Sequence, residues 1–174
     1  MKKDPDSGAY QIYIMRHGIA QERGHGGPGD AQRRLTPEGR EKTREIAKGL
    51  TRVVFAVDWF VTSPLLRAVE TAEIVRETLK LDAPFEKCDA LQPGLKAPEL
   101  MKFLCKRPER KRVLLVGHEP DLGFLAASLL GAGDEANLAF KKGGCCLIAV
   151  EQLPPRLPGE LVWWLAPRVL RALA

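Results

Sequence analysis

Long apolar runs are absent from this sequence, and cysteines and aromatic residues are scarce. The longest apolar runs, residues 113–116 and 161–165, are far too short to cross a bilayer, so no association with a membrane is expected. Residues 1–8 carry charge but are followed by no apolar segment, which argues against a secretory signal. We therefore expect a cytoplasmic protein.

The four cysteines have neither the spacing of a zinc site nor that of a disulfide framework. Cys88 and Cys105 stand alone in the sequence. Cys145 and Cys146 are adjacent in a predicted strand, where their side chains should point to opposite faces. We expect reduced, mostly buried thiols, and the chain offers no acidic cluster that would bind a metal ion, so no cofactor is predicted.

Basic residues outnumber acidic ones, but they are scattered along the chain. The formal net charge is +5, aromatic residues make up 6% of the sequence, and no helix-turn-helix or RNA-recognition pattern is present. The densest basic run, residues 106–112, lies between a predicted helix and a predicted strand. We expect a solvent-exposed loop at these residues, and contact with an anionic substrate is the second interpretation. We expect no nucleic-acid partner.

Length and composition suit one globular domain spanning residues 1–174. The chain is 45% hydrophobic and 28% charged, and it contains no internal repeat and no interdomain linker. Runs of β-forming and apolar residues predict five strands, over residues 10–15, 59–62, 113–116, 145–150 and 161–165. The third is typical of a central strand covered on both faces, and the last two should form a hairpin at a sheet edge.

Helices are predicted between these strands. The first begins with Thr36 as N-cap and Pro37 as first helical residue, and it follows a glycine-rich loop at residues 24–30 that we expect to be flexible. The second begins at Ser63-Pro64, and two more cover residues 98–105 and 120–130. The apolar face of the first should contain Ile46, Leu50 and Val53, and that of the second Leu66, Val69, Ala72 and Leu79. This alternation predicts a three-layer α/β/α sandwich with a mostly parallel central sheet.

Four residues suited to phosphoryl chemistry fall near the carboxyl ends of predicted strands. Arg16 and His17 follow the first strand, His118 follows the strand at 113–116, and Arg67 lies in the first turn of the second helix. Parallel sheets of this kind place their sites at that edge. A neutral His17 can attack phosphorus, while the arginines, and His118 when protonated, bind the phosphoryl oxygens. The sequence therefore predicts a phosphatase that needs no metal ion.

Taken singly, these residues are weak signals. His118 alone would be interpreted as a hydrogen-bonded structural residue, and Arg67 alone as an exposed helix arginine. The hypothesis therefore depends on the order and spacing of all four residues together. Each of them lies within a longer motif.

Those motifs, at residues 14–18, 35–39, 62–72 and 116–120, together resemble the histidine phosphatase superfamily, which has the phosphoglycerate mutase-like fold. The short segment between Thr71 and His118 resembles the compact SixA-type branch, whose members dephosphorylate phosphohistidine in signalling proteins. By position, the resemblance implies that His17 is the phosphorylated nucleophile. It also implies that Arg16, Arg67 and His118 bind the phosphoryl group and that the partner is a phosphohistidine-bearing protein.

One departure from the family bears on the substrate. Larger members carry a glutamate general acid in a segment that corresponds here to residues 88–93, which offer only Asp89. Asp30 is the other carboxylic acid considered as proton donor, and the sequence does not decide between them. An imidazole leaving group needs an acid less than an alkoxide does, which favours a phosphohistidine substrate. The alternatives are a small-molecule phosphomonoesterase acting on a small phosphorylated substrate, and a non-catalytic phosphate-binding module.

Overall fold

The computed structural model describes residues 10–22, 29–94, 96–133 and 136–174. Most of the glycine-rich loop predicted to be flexible, and the N-terminal residues 1–9, lie outside the described residues. The strands are β1 (Tyr10–Arg16), β2 (Trp59–Thr62), β3 (Phe85–Lys87), β4 (Arg112–Gly117), β5 (Cys145–Val150) and β6 (Glu160–Leu165). The helices are α1 (Pro37–Leu50), α2 (Leu66–Leu79), α3 (Ala97–Leu104), α4 (Asp121–Leu129) and α5 (Pro167–Ala172).

All six strands form one sheet in the order β3-β2-β4-β1-β5-β6. The pairs β3–β2, β2–β4 and β4–β1 are parallel, while β5 runs antiparallel to both β1 and β6. The mostly parallel sheet and the antiparallel hairpin at its edge are therefore confirmed. Because β2, β4 and β1 are parallel neighbours, their carboxyl ends lie side by side.

Helices cover both faces of the sheet and create two hydrophobic cores. Helices α1, α2 and α5 pack on one face, where Leu50, Ala72 and Leu170 are fully buried. Helices α3 and α4 pack on the other face, against alternate residues of the same strands. Cys145 belongs to the first core and Cys146 to the second, as predicted from their adjacent positions in a strand. The α/β/α layering is thus confirmed.

The start of α1 forms as its sequence predicts. Thr36 is the N-cap and its Oγ1 accepts a hydrogen bond from Gly39 N (2.9 Å), with Pro37 in the first turn. The helix ends at Leu50, so Val53 lies in the following turn rather than on the helical face, which corrects the prediction.

Two details of α2 also differ from the prediction. The helix begins at Leu66, because Pro64 and Leu65 form a bend before it and Ser63 precedes that bend. Leu66 and Leu79 are only partly buried, since the side of the helix against the sheet and α1 is formed by other residues. The buried residues of α2 are Arg67, Ala68, Val69, Glu70, Thr71, Ala72, Ile74 and Val75.

The short elements β3 and α5 were not predicted. Strand β3 has three residues, two of them charged, at the edge of the sheet, so no periodic pattern reveals it. Helix α5 has six residues and is stabilised by packing, because Leu170 inserts next to Gly49 of α1. A Cβ atom at Gly49 would come within 1.8 Å of the Leu170 carbonyl oxygen, so this close approach requires glycine.

The basic run is largely the exposed loop that its composition predicts. Residues 106–109 are exposed, and Arg112 begins β4. Asp58 Oδ2 accepts hydrogen bonds from the backbone N of Lys111 (3.1 Å) and of Arg112 (3.0 Å). Within the described residues, no helix is both long and apolar enough to span a membrane.

Candidate active site

The four residues predicted to carry the chemistry meet at the carboxyl edge of the sheet. Arg16 ends β1 and is followed by His17, and His118 follows β4, the neighbouring parallel strand. Arg67 lies in the first turn of α2, just beyond the end of β2. All four line one cavity of about 260 Å³. The structure therefore brings together residues that are up to about a hundred positions apart in the chain.

Arg16 is oriented by the chain that precedes β5. Its Nη1 donates a hydrogen bond to the Phe140 carbonyl oxygen (2.8 Å), and Gly143 N donates to the Arg16 carbonyl oxygen (3.1 Å). The Arg16 Nε atom is buried and has no hydrogen-bond partner among the described residues. Burying a donor without a partner is costly, and Arg16 lines the cavity, so an anion bound there could supply the partner.

The His17 ring is a neutral imidazole with its lone pair on Nε2. Its Nδ1 lies 2.7 Å from the Gly18 carbonyl oxygen, which can only accept a hydrogen bond, so the ring proton is on Nδ1. Burial, reinforced by the charges of Arg67 and Arg16, lowers the pKa of His17 to about 3. At neutral pH, Nε2 therefore has the unprotonated form that a nucleophile requires.

Gly18 allows the chain after His17 to pass close to α1 and α2. A Cβ atom at this position would lie 2.4 Å from Thr43 Oγ1, so a larger residue would displace the segment. Gly18 N donates a hydrogen bond to Thr71 Oγ1 (3.0 Å), which anchors the segment to α2. The glycine of the Arg16-His17-Gly18 motif thus holds the His17 backbone in place.

Arg67 is almost completely buried, with 2% of its surface exposed, and Asp30 fixes its position. Its Nη1 donates to the Asp30 carbonyl oxygen (2.7 Å) and its Nη2 to Asp30 Oδ2 (3.1 Å). Asp30 Oδ1 accepts from Arg33 Nε (2.9 Å), so one carboxylate joins two arginines. Because a guanidinium group is rigid and planar, these bonds hold Arg67 in one orientation beside the cavity.

Glu70, one helical turn after Arg67 in α2, ties the preceding loop to that helix. Its buried carboxylate accepts hydrogen bonds from Leu35 N (2.8 Å), from Arg34 Nη1 (3.0 Å) and from Arg40 Nη2. A buried carboxylate is stable only with such partners. The same helix therefore positions Arg67 directly and, through Glu70, the end of the loop that carries its partner.

The sequence left the charge of His118 open, because this residue would be a cationic donor only when protonated. Burial, reinforced by Arg67 and Arg16, lowers the pKa of His118 to about 4. In the free protein it is therefore a neutral imidazole at physiological pH and not a third cation. Its ring centre lies 5.1 Å from that of His17.

Ser63 favours one of the two neutral forms of the His118 ring. His118 Nε2 lies 2.8 Å from Ser63 Oγ, which accepts a hydrogen bond from Leu65 N (3.3 Å). Because Ser63 Oγ accepts a hydrogen bond from Leu65 N, its own proton can be donated to His118 Nε2. Nε2 is then the acceptor, which favours the form of the ring with its proton on Nδ1. His118 Nδ1 is buried and has no hydrogen-bond partner among the described residues. Because His118 lines the cavity, an anion bound there could satisfy this donor.

Sequence reasoning did not find three charged residues that also line the cavity, namely Arg33, Glu119 and Lys142. Glu119 stands in the motif after His118, but nothing in the sequence places its side chain against Phe140. Its Oε1 accepts a hydrogen bond from Phe140 N (3.0 Å), and burial raises the pKa of Glu119. Glu119 thereby holds the segment whose carbonyl oxygen orients Arg16.

Neither aspartate considered as a proton donor is placed as one. Asp89 accepts a hydrogen bond from Gln92 Nε2 (3.1 Å) and is not among the described residues that line the cavity. Asp30 is engaged by the two guanidinium groups of Arg67 and Arg33, so it acts there as an acceptor. No group of three or more His, Cys, Asp or Glu residues that could hold a metal ion occurs in the described part of the chain.

The depressed pKa values of the two histidines predict an acid-sensitive fold. Below pH 6.5 the unfolded chain binds protons on these residues, whereas folded His17 and His118 stay neutral to about pH 3 and about pH 4. As the pH is lowered from 6.5 to 4, the free energy of unfolding should therefore decrease by about 1.4 kcal/mol per pH unit for each histidine. Urea unfolding at several pH values, without phosphate, measures this slope.

A double variant, His17→Asn with His118→Asn, is the control for that slope. It should lose most of the pH dependence between pH 6.5 and 4 while retaining the dependence contributed by carboxylates. An unchanged slope in the double variant would mean that the two histidines are not neutral in the folded protein.

Comparisons with known proteins agree with this geometry. Residues 12–92 match the family model of the histidine phosphatase superfamily (branch 1). The chain is 34% identical over 137 residues to an uncharacterized protein of Picosynechococcus sp., covering 77% of this chain and 81% of that protein. It is 32% identical over 123 residues to the phosphohistidine phosphatase SixA of Escherichia coli (strain K12), covering 68% of this chain and 73% of SixA.

A solved structure extends the likeness to the whole fold. The structure of the protein histidine phosphatase SixA complexed with tungstate superimposes with a TM-score of 0.79 at 26% identity, covering 92% of this chain and 99% of that one. The sequence motifs, the sheet order and these matches lead to one assignment. This chain belongs to the histidine phosphatase superfamily and resembles its SixA-type members.

Proposed function

We propose that this protein removes the phosphoryl group from phosphohistidine in a protein substrate, through a phosphohistidine intermediate on His17. The observation that carries the proposal is the state of His17. Its Nδ1 proton is bound to the Gly18 carbonyl oxygen, which leaves the Nε2 lone pair in a cavity lined by Arg16, Arg67 and His118.

In the first step, the lone pair of His17 Nε2 attacks phosphorus and the bond between phosphorus and the substrate nitrogen breaks. The bonding electron pair leaves with the substrate imidazole, which departs neutral because its other nitrogen carries a proton. The guanidinium groups of Arg16 and Arg67 bind the phosphoryl oxygens, where negative charge is greatest. His118 Nδ1 can donate a further hydrogen bond to the same group.

In the second step, water attacks the phosphorus of phospho-His17. The bond between phosphorus and Nε2 breaks, its electron pair returns to His17, and both protons of the water leave with inorganic phosphate. The Nδ1 bond to Gly18 stays in place throughout, so the ring keeps one orientation in both steps. The neutral His17 that starts the next cycle is thereby restored.

Two features support a reaction without a metal ion and with a nitrogen leaving group. Arg16 and Arg67 supply the positive charge that metal ions supply in many phosphoryl-transfer sites. Asp30 is occupied by two arginines, so it gives no proton to an alkoxide leaving group. Similarity to SixA, a phosphohistidine phosphatase, supports the same substrate class.

The proposal is tested by comparing catalytic efficiencies. We expect kcat/KM for a phosphohistidine-bearing protein to exceed that for phosphoglycerates and sugar phosphates. Asp89→Asn should lower the phosphohistidine rate by less than about tenfold, because the usual hundredfold or greater gain from general acid catalysis is largely not used. A small phosphomonoester that is hydrolysed far more efficiently would instead support the phosphomonoesterase.

A further inference from the structure

An apolar groove lies directly beside the catalytic cavity. It has a volume of about 270 Å³ and is formed by the start of α4 and the segment 136–139. Its walls include Pro120, Phe124 and Leu138. The segment packs tightly on the helix, since a Cβ atom at Gly123 would lie 2.4 Å from the Leu138 carbonyl oxygen. A side chain at position 123 would therefore separate the two walls of the groove.

Phe124 is the unusual residue of this groove. It is 57% exposed, whereas the other large apolar side chains of α4, Leu122, Leu125 and Leu129, are almost fully buried. The exposed positions of α4 are Phe124 and Ser128, one turn apart. Helix α4 thus presents an aromatic ring to solvent on the side that its packing does not use.

The groove and the catalytic cavity share one wall. Glu119 lines both, and the residue before it is His118. The same Glu119 holds Phe140, whose carbonyl oxygen orients Arg16. A molecule whose phosphoryl group enters the cavity therefore has the groove at its side.

A protein substrate would have to cover this surface. His17 is 7% exposed, so the phosphorylated side chain must reach into the cavity. A histidine side chain is short, which brings the backbone that carries it close to the rim. Residues flanking the phosphohistidine would then contact neighbouring surface, whereas a small phosphate ester would not extend so far.

The charged residues at the rim of the cavity indicate which residues of a protein substrate would bind next to it. Lys141 and Lys142 are exposed and follow Phe140, and Lys142 also lines the cavity. Acidic residues near the phosphohistidine would be attracted to these amines. The complementary surface therefore combines an apolar side chain for the groove with acidic residues towards the lysines.

Building on the proposed function, we propose that the groove at Phe124 is the docking surface for the polypeptide that flanks the phosphohistidine of the protein substrate. An apolar side chain of that polypeptide packs against Phe124, while its phosphohistidine enters the cavity. Phe124 then contributes to protein-substrate affinity without taking part in the chemical steps.

The test compares one protein probe with two small ones. The protein probe is a histidine-containing phosphotransfer domain phosphorylated on its histidine, and the small probes are free phosphohistidine and p-nitrophenyl phosphate. We expect Phe124→Ser to raise KM for the protein probe by about tenfold, because the contact between the aromatic ring and the substrate polypeptide is lost. The value of kcat should change little. Activity on both small probes should stay within about twofold of wild type.

Two further variants serve as controls. Phe55→Ser removes an aromatic ring that is 82% exposed and lies in the segment before β2, at the opposite edge of the sheet. It should leave all three probes unchanged. Phe124→Leu keeps an apolar side chain and should retain most of the affinity for the protein probe.

The outcomes separate the docking surface from the proposed function. If wild type hydrolyses the protein probe and Phe124→Ser does not change its KM, the docking surface is wrong and the proposed function stands. An equal loss on all three probes would mean that Phe124 acts on the catalytic site and would also overturn the proposal. If wild type hydrolyses only p-nitrophenyl phosphate, the proposed function and the docking surface both fail.

Discussion

Replacing His17 by alanine should reduce kcat/KM by at least about 10⁴-fold, because the attacking Nε2 atom that forms the covalent intermediate is lost. The neighbouring cations would still bind the phosphoryl group, so a phosphate-like inhibitor should still bind. The measurement is steady-state turnover, combined with acid-quench trapping of a radiolabelled phosphoenzyme. Wild type should become labelled and His17→Ala should not.

The fold of His17→Ala should be intact, since the hydrogen bond that the ring makes within the described residues is to the backbone of the next residue. Near-UV circular dichroism and thermal unfolding serve as the check. His118→Ala is the comparison, because that histidine binds and donates but does not attack. It should still accept label from substrate, slowly. A folded His17→Ala protein with wild-type turnover would overturn the mechanism.

Arg67→Lys should lower kcat/KM by about a hundredfold, although the positive charge is kept. Lysine lacks the planar fork with which Arg67 contacts both the Asp30 carbonyl oxygen and its carboxylate, so the cation loses its fixed direction. Loss of one preorganised donor to a developing anion typically costs about a hundredfold or more. Steady-state kinetics and inhibition by tungstate should both show the loss.

Arg40→Lys is the matched control for Arg67→Lys. Arg40 is also an ion-paired arginine, held by Glu70, but it lies on α1 and not among the residues that line the cavity. Its replacement should change kcat/KM and tungstate inhibition by less than about threefold. If Arg67→Lys were as active as Arg40→Lys, Arg67 would be a structural residue and the phosphoryl site would need a different cation.

The order of strands and helices could be predicted because each depends on residues that are close in the chain. The apolar run of β4 and the Thr36-Pro37 start of α1 act locally, and both formed as expected. The positions of His17 and His118 followed from the rule that parallel sheets carry their sites at the carboxyl edge. The same approach missed short elements such as β3, because three residues at the edge of a sheet show no periodicity.

Contacts between distant residues could not be predicted in this way. Arg16 is oriented by a carbonyl oxygen 124 positions later, and Arg67 by an aspartate 37 positions earlier. Asp30 was considered in the sequence as a proton donor, and only its two guanidinium partners show that it is an acceptor. No local pattern carries that information.

The sequence by itself determined the α/β layering, the residues capable of phosphoryl chemistry and the edge of the sheet where they meet. Only the tertiary structure decided the charge of His118, the orientation of Arg67 and the groove beside the cavity. The physical reason is that residue type and spacing act over a few positions, whereas desolvation, hydrogen bonding and surface shape arise from all segments that pack together. His118 is neutral because the folded chain buries it next to Arg67 and Arg16.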